Sequence, residues 1–332
     1  MTGDPALPRA SIVIRAYNEA RHIERLLTGI RQQTFNGKPV KDIEVILVDS
    51  GSSDDTVEIT GQFQAPFPIH IVQIQPEEFT FGRSLNRGIE QSQSSLIVIV
   101  SAHIYPVYPD WLERLLAPFA DEQVVLAYGK QRGNHMSHFS EQQIFATWYP
   151  EWSQARQEHP FCNNANAATR RRTWEEHPYD ESLSGLEDLE WANCAAQKGY
   201  AISYVAEAEI IHVNQETPSS VFNRYRREAI AFKHIYPHQR FGRLDLVRLV
   251  TSNIASDLRM AAKQKVLLQN INGIFWFRWM QFWGTYQGYR HHGPLTWQLR
   301  QTFYYPLNQI QPQQQPVRPV EPIHYPDLEK DS

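Results

Sequence analysis

The residues most able to do chemistry stand where short apolar runs end. Glu187 and Asp188 are adjacent carboxylates opening residues 187–198, whose pattern predicts a helix. Paired carboxylates are a source of general-base chemistry, one of them deprotonating an attacking hydroxyl. The plainer alternative is that acidic residues suit any helix N-terminus, where they meet the positive end of the macrodipole. Asp49 follows the apolar run 44–48 and precedes a polar Gly/Ser turn. A carboxylate there can accept the imide N–H of uracil or thymine, or the N–H groups of guanine; cytosine in its common form has no ring N–H to give. The same aspartate would equally serve as an N-cap or turn former. Tyr17 offers a ring to stack against or edge a base, with burial in the core as the competing expectation. Glu19 offers a carboxylate to a ribose or base, and Arg83 either reaches phosphates or lies solvated on a helix. His103 and His212 each follow a short apolar run, 96–100 and 209–211. A single histidine in such a place is most often structural, but two at neighbouring strand ends suit a divalent metal.

These side chains need a scaffold. Residues 11–14, 44–48, 69–74, 96–100 and 124–128 are apolar, β-branched-rich runs that read as strands. Between them, 18–33, 83–91 and 109–119 carry apolar residues at helical spacing, as in Ile23, Leu26, Leu27 and Ile30. Further on, 201–205 and 209–211 read as two strands, and 219–235 and 244–269 as two helices. Strands alternating with helices predict an α/β fold with a mainly parallel, doubly wound sheet. Ligands bind such sheets beyond the carboxyl ends of the strands. The residues following Ile14, Val48 and Val100 are therefore the ones expected at a site.

The strings at those ends resemble a known family. Arg15-Ala16-Tyr17-Asn18-Glu19 ends the first strand, and Val48-Asp49-Ser50-Gly51-Ser52 ends the second. They are similar to the P-A-Y-N-E and V-D-D-G-S strings of the inverting glycosyltransferase family 2, which has the GT-A fold. The resemblance continues at Gly82–Gly88, at Asn166–Arg171 and at Tyr179-Asp180-Glu181 followed by Glu187-Asp188-Leu189-Glu190-Trp191. It spans roughly residues 10 to 215, and it is the order of five weak motifs that makes it specific. It implies a Rossmann-like nucleotide-diphospho-sugar transferase fold with a helical C-terminal extension. It implies transfer of a sugar from a nucleotide-diphosphate-sugar to a hydroxyl acceptor with inversion, in surface polysaccharide or glycolipid synthesis. By resemblance, the base lies in the Glu187–Asp188 pair, with Asp188 preferred. Arg15, Tyr17, Glu19, Asp49 and Arg83 are then nucleotide-binding, and Asn166 and Trp191 lie near donor or acceptor sugar. Trp191 as a plain core residue is the alternative. One departure stands out. Where the family places D-x-D to hold a metal on the diphosphate, this chain has Ser101-Ala102-His103. His103, with His212, is then the expected ligand pair, and imidazole favours Mn²⁺ over Mg²⁺. A metal-independent site, with Arg or Lys supplying the charge, is the rival.

Composition bounds the rest. The chain has 332 residues, which at about 150 residues per domain predicts two domains, or one with an appendage. Apolar residues make up 42% and charged residues 20%, which excludes a mostly disordered chain. Cys162 and Cys194 are too few for a disulfide framework or a four-cysteine zinc site, and residues 1–10 lack the apolar stretch of a signal peptide. A cytoplasmic protein is expected, with the inner membrane face as a peripheral location. No run approaches the roughly 20 apolar residues of a membrane span. The net charge of −4 hides an asymmetry: residues 221–290 carry 12 Lys/Arg against 3 Asp/Glu, a net of +9. The expected units are a catalytic domain over 1–218, a basic, aromatic-rich helical region over 219–308 and an extended Pro/Gln-rich tail over 309–332. Basic charge with the aromatics of 275–289 suits an anionic membrane surface and a lipid-linked or glycan acceptor; burial under the catalytic domain or in a homodimer is the alternative. The arginines form no nucleic-acid motif, so no nucleic-acid partner is expected. The competing function class is a non-catalytic nucleotide-sugar-binding or scaffold protein, and retention of the Glu187–Asp188 pair argues against it.

Overall fold

The computed structural model describes residues 8–213, 216–290 and 320–325. An eight-stranded sheet in the order β5-β4-β1-β6-β9-β8-β10-β7 forms the centre. Its first four members, β5 (Ile69–Gln73), β4 (Ile43–Asp49), β1 (Ala10–Ala16) and β6 (Leu96–Ser101), are parallel. The other half is mixed. β9 (Asn166–Arg170) runs antiparallel to both β6 and β8 (Val124–Arg132), β10 (Ala201–His212) lies parallel to β8, and β7 (Ile104–Pro106) closes the edge antiparallel to β10. A small separate hairpin joins β2 (Thr34–Phe35) and β3 (Lys38–Pro39).

Helices cover both faces, which is why the strands read as continuous apolar runs. Ile12 and Ile14 of β1 pack into one layer with Leu26, Leu27 and Ile30 of α1 (Ile23–Arg31) and Trp111 of α4 (Trp111–Leu116). Val13 points the other way, toward Leu85 and Ile89 of α3 (Phe81–Gln91) and Trp191 of α7 (Glu187–Gln197). The remaining helices of this half are α2 (Thr56–Gln62), α5 (Phe139–Trp148) and α6 (Arg171–Glu176). Three helices follow, α8 (Pro218–Ile235), α9 (Arg243–Lys263) and α10 (Leu267–Tyr289).

Several boundaries differ from expectation, each for a local reason. The first helix starts at Ile23 and not at 18, because Asn18 has φ of 56°, incompatible with a right-handed helix. Its side chain instead accepts a hydrogen bond from the Ser53 N–H at 2.8 Å and ties the first loop to the second. The segment 244–269 is two helices, broken where Lys265 takes φ of 62°. The two strands expected over 201–211 are one strand, β10, irregular between Val205 and Ile210. The strand β9 carries the NAAT string and was not expected; its small residues pack between β6 and β8.

The aromatic stretch lies within α10. Four of its eight rings are core: Phe277 and Phe282 are fully buried, and Tyr286 and Tyr289 nearly so, while Phe275 and Trp279 are exposed. The Pro/Gln-rich tail over 309–332 falls outside the described residues except for 320–325.

Candidate active site

Parallel register brings three strand ends level. Ala16 pairs with Asp49, and Arg15 lies between Val48 and Ser101. The side chains that follow share one edge of the sheet. Tyr17 is 58% exposed, so it is not a core tyrosine and its ring is open to a ligand. Asp49 is buried, and its Oδ2 accepts from the Gly51 and Ser52 N–H groups at 3.1 and 3.2 Å. The turn-forming role is therefore real; it leaves lone pairs on both oxygens for a base N–H. Gly51 sits at φ of 86° against Pro76, a conformation and a space that suit glycine.

Glu187 and Asp188 open α7 behind a strained residue. Leu186, just before the helix, has φ of 59°, an uncommon state for a bulky side chain and one that concentrates at functional sites. The Asp188 carboxylate accepts from the Asn164 N–H at 3.1 Å and from the Leu189 N–H at 2.8 Å. Burial, and then the negative charge of Glu187, pushes its pKa up to about 7. A carboxylate held there is half ionised near neutral pH, the state a general base needs. Glu187 is buried and paired with Arg15, whose Nη1 lies 3.0 Å from its Oε1. The Arg15 guanidinium also stacks on Phe81 at 4.9 Å, so it is turned to the acid pair. Glu190, on the same turn, meets His177 Nε2 at 3.2 Å. The Cys162 thiol lies beside the pair and donates to the Asp188 carbonyl, but burial raises its pKa well above the ordinary value and keeps it inert.

The two histidines come together. His103 and His212 stack with ring centroids 5.0 Å apart. His103 Nδ1 lies 2.7 Å from Glu19 Oε1, so Glu19 meets an imidazole, not the expected ribose or base. His212 Nδ1 lies 2.8 Å from Gln131 Oε1. An acceptor oxygen on each Nδ1 assigns the proton there and leaves each Nε2 with a lone pair, the arrangement of metal-ligating histidines. Burial first, then the charges of His103 and Arg224, holds the His212 pKa well below its ordinary value, so it is neutral and able to ligate. Among the described residues no set of three His, Cys, Asp or Glu side chains could hold a metal unaided. The donor set fits a cation that takes its remaining ligands from a diphosphate.

Two expected residues do not reach an open site, and a third, Arg83, is engaged by protein partners at the surface. Asn166 is fully buried: its amide donates to the Ala208 carbonyl at 2.8 Å and accepts from Trp111 Nε1 at 2.9 Å, which makes it a strut between strands. Trp191 is 1% exposed, and its indole N–H donates to the His177 carbonyl, the core alternative. Arg83 is held by Glu181 at 2.7 Å and by the Glu78 carbonyl at 3.0 Å. Conversely, sequence reasoning did not single out Asn164 or Phe81 and did not bring α8 to the site. Arg227 of α8 stacks on the same Phe81 ring as Arg15, at 4.6 Å. Arg224 pairs with Glu141 at 3.1 Å and Glu216 at 2.6 Å. Part of the basic C-terminal charge thus serves the sheet edge. Lys130 and Arg132, which flank Gln131 at the end of β8, pair with Glu209.

Comparison with known proteins agrees with this geometry. The model of glycosyl transferase family 2 matches residues 11–177, half of the chain. The glycosyltransferase AglE of Haloferax volcanii is 26% identical over 60% of this chain and 64% of its own length. The O-antigen chain rhamnosyltransferase RfbN of Salmonella typhimurium is 25% identical over 65% of this chain and 70% of its own. This chain therefore spans a little under two thirds of the first relative. Among solved structures, the mannosyltransferase PcManGT of Pyrobaculum calidifontis, in complex with GDP-Man and Mn²⁺, has a TM-score of 0.57 at 19% identity, covering 85% of each chain. S. aureus TarS (residues 1–349), in complex with UDP, has a TM-score of 0.52 at 16% identity, covering 85% of this chain and 91% of its own. These likenesses establish the GT-A fold, a mainly parallel sheet with C-terminal helices. With its matched half carrying the strand-end motifs and its sheet edge carrying the acid pair, this chain belongs to glycosyl transferase family 2.

Proposed function

We propose that the protein transfers a sugar from a nucleotide-diphosphate-sugar to a hydroxyl acceptor, with inversion at the anomeric carbon. The observation that carries this is the acid pair that opens α7: Glu187 is buried against Arg15, and Asp188 stands half-buried beside it, near the strand ends that hold Tyr17 and Asp49. Asp188 takes the proton of the acceptor hydroxyl as its oxygen attacks the anomeric carbon. The bond from that carbon to the diphosphate breaks, and the nucleoside diphosphate leaves. Arg15 holds Glu187 in place and offsets the charge that collects as Asp188 ionises. Asp49 and Tyr17 bind the base, which is uracil, thymine or guanine. His103 and His212 would hold a divalent cation, Mn²⁺ ahead of Mg²⁺, and the cation stabilises the negative charge on the leaving group.

The acceptor is a growing surface glycan or a lipid-linked glycan at the cytoplasmic membrane face. Relatives that extend O-antigen chains support this reading. Leu244, Val247, Phe275 and Trp279 remain exposed on the basic helical region and suit peripheral contact with an anionic membrane; a homodimer would cover the same side chains.

The test is Asp188→Asn. Transfer should fall about 10²–10⁴-fold while donor affinity is retained. Burying an ionised Asp188 also costs stability, increasingly as pH rises from 3.8 to about 7, because the unfolded chain releases that proton more readily. The Asn variant should therefore melt at a higher temperature than wild type at pH 8. A variant that transfers normally would move the base to Glu187 or Glu190.

A further inference from the structure

The far end of the chain returns to the histidine side of the site. Residues 320–325 lie against β7, the edge strand of the sheet. The Ile323 N–H donates to the Val107 carbonyl at 2.8 Å, and the Tyr325 hydroxyl donates to the Pro106 carbonyl at 2.6 Å. Tyr325 is 6% exposed and sets its ring edge-on to Tyr105, with centroids 4.8 Å apart. Gly29 of α1 makes the room: a Cβ there would come within 2.5 Å of the Tyr325 hydroxyl. A buried tyrosine whose hydroxyl is paired, in a slot that only glycine leaves open, is a built contact.

What it holds is specific. β7 has three residues and one strand neighbour, too little for an edge strand to be rigid by itself. It begins directly after His103, and its Ile104 pairs with His212. The Val213 N–H donates to the His103 carbonyl at 3.0 Å. Tyr325 forms one buried cluster with Tyr105 and Val213, with Ile323 and Ile211 packed against it. These residues flank both histidines, so the contacts that seat Tyr325 also fix the two imidazole-bearing backbones against each other.

We propose that residues 320–325 are a strap that sets the His103–His212 pair, with Tyr325 as its positioning residue. The proposal rests on reading those histidines as the ligands for a cation on the donor diphosphate. Its consequence is that the cation side of the donor site depends on residues 320–325 as well as on His212, both outside the matched segment 11–177, while the base side, at Tyr17 and Asp49, lies within it.

The experiment uses the full chain with Tyr325→Ala and Tyr325→Phe. Calorimetric titration with GDP, UDP and dTDP, each with and without Mn²⁺, reads the two sides separately. Outer-shell partners of metal ligands typically contribute about 10–100-fold to affinity. Tyr325→Ala should lose most of the Mn²⁺-dependent gain and keep the metal-free affinity; Tyr325→Phe, which keeps the ring, should retain an intermediate gain. Amide hydrogen exchange of the full chain gives the second readout. Residues 104–107 and 213 should exchange faster in Tyr325→Ala, with residues 43–49 unchanged. An undiminished Mn²⁺-dependent gain, or unchanged exchange at 104–107, would overturn the strap. Wild type that binds none of the three nucleotides would sink the donor-site reading instead, and the exchange result would still decide the strap. Should Tyr325→Ala fail to fold, Tyr325→Phe carries both comparisons.

Discussion

At the scale of single residues, the acid pair sets the pH behaviour. Asp188 acts as a base only when ionised, so kcat/KM should rise through an acidic limb near pH 7 and level off above it. Glu187 is the second cause of the raised value, so Glu187→Gln removes like charge and should move that limb to lower pH. A pH–rate profile of both proteins checks the direction; a limb that stays in place would remove the coupling. His212 does not contribute to this limb, because it is already neutral well below its ordinary value. The histidines make a different claim. A cation on the diphosphate supplies several kcal/mol of charge stabilisation, so EDTA should lower transfer by at least about 100-fold, with Mn²⁺ restoring it. In His103→Ala, added Mn²⁺ should restore little. Full activity in EDTA would leave Arg or Lys as the phosphate partner, and a fully active His103→Ala would remove this ligand.

At the scale of elements, each strand end is locked by the loop of its neighbour. Asn18 bonds to Ser53, Glu19 N–H to Thr56, and Ala20 N–H to Asp54, so the two nucleotide-side loops form one unit. The C-terminal helices are tied in as firmly. Arg278 of α10 grips Asp257 of α9 through two bonds, at 2.7 and 2.9 Å, and Ser140 of α5 donates to the same carboxylate at 2.6 Å. Both charged groups are about 96–98% buried, at 4% and 2% exposure. Removing one partner of such a pair typically costs about 3–5 kcal/mol, while replacing both by apolar residues of similar size is often neutral. Urea unfolding of Arg278→Ala should show that loss as one cooperative transition, and Arg278→Met with Asp257→Leu should recover most of it. A separate early transition in Arg278→Ala would mean that the helical region folds by itself.

At the scale of the whole molecule, the basic third divides its charge between two jobs. Arg224 and Arg227 face the sheet edge, and Arg278 neutralises Asp257. The outward part accompanies exposed Leu244, Val247, Leu268, Phe275 and Trp279. No helix among the described residues is long and apolar enough to cross a membrane. Apolar side chains with basic neighbours favour an anionic surface, and the attraction weakens with salt. The protein should therefore float with anionic vesicles at low salt and less so at high salt. Retention in the soluble fraction at both would leave the exposed side chains to a second copy, which sedimentation would detect.

The sequence by itself determined the alternation of strands and helices in the first half, the mainly parallel sheet, the strand ends as the place to look for a site, and the family resemblance. The reason is that parallel strands buried on both faces must be apolar throughout, and the polar strings that end them then stand out. Tyr17, Asp49 and the two histidines were picked out on that ground, and Asp188 as half of the acid pair that opens a helix. Asn166 was misplaced and Trp191 took its core alternative, because a family string fixes a position along the chain and not the direction of a side chain; both point inward, where the Ala208 and His177 carbonyls accept from their N–H groups. Only the tertiary structure decided that Arg15 serves Glu187 and Glu19 serves His103, since these pairs join strand ends to a distant helix and a distant loop. It also decided that α8 borders the site and that Tyr325 braces Pro106, contacts between residues 219 apart in sequence. The pKa of Asp188 belongs to the same class: desolvation raises it, and desolvation exists only once the chain has closed around the carboxylate.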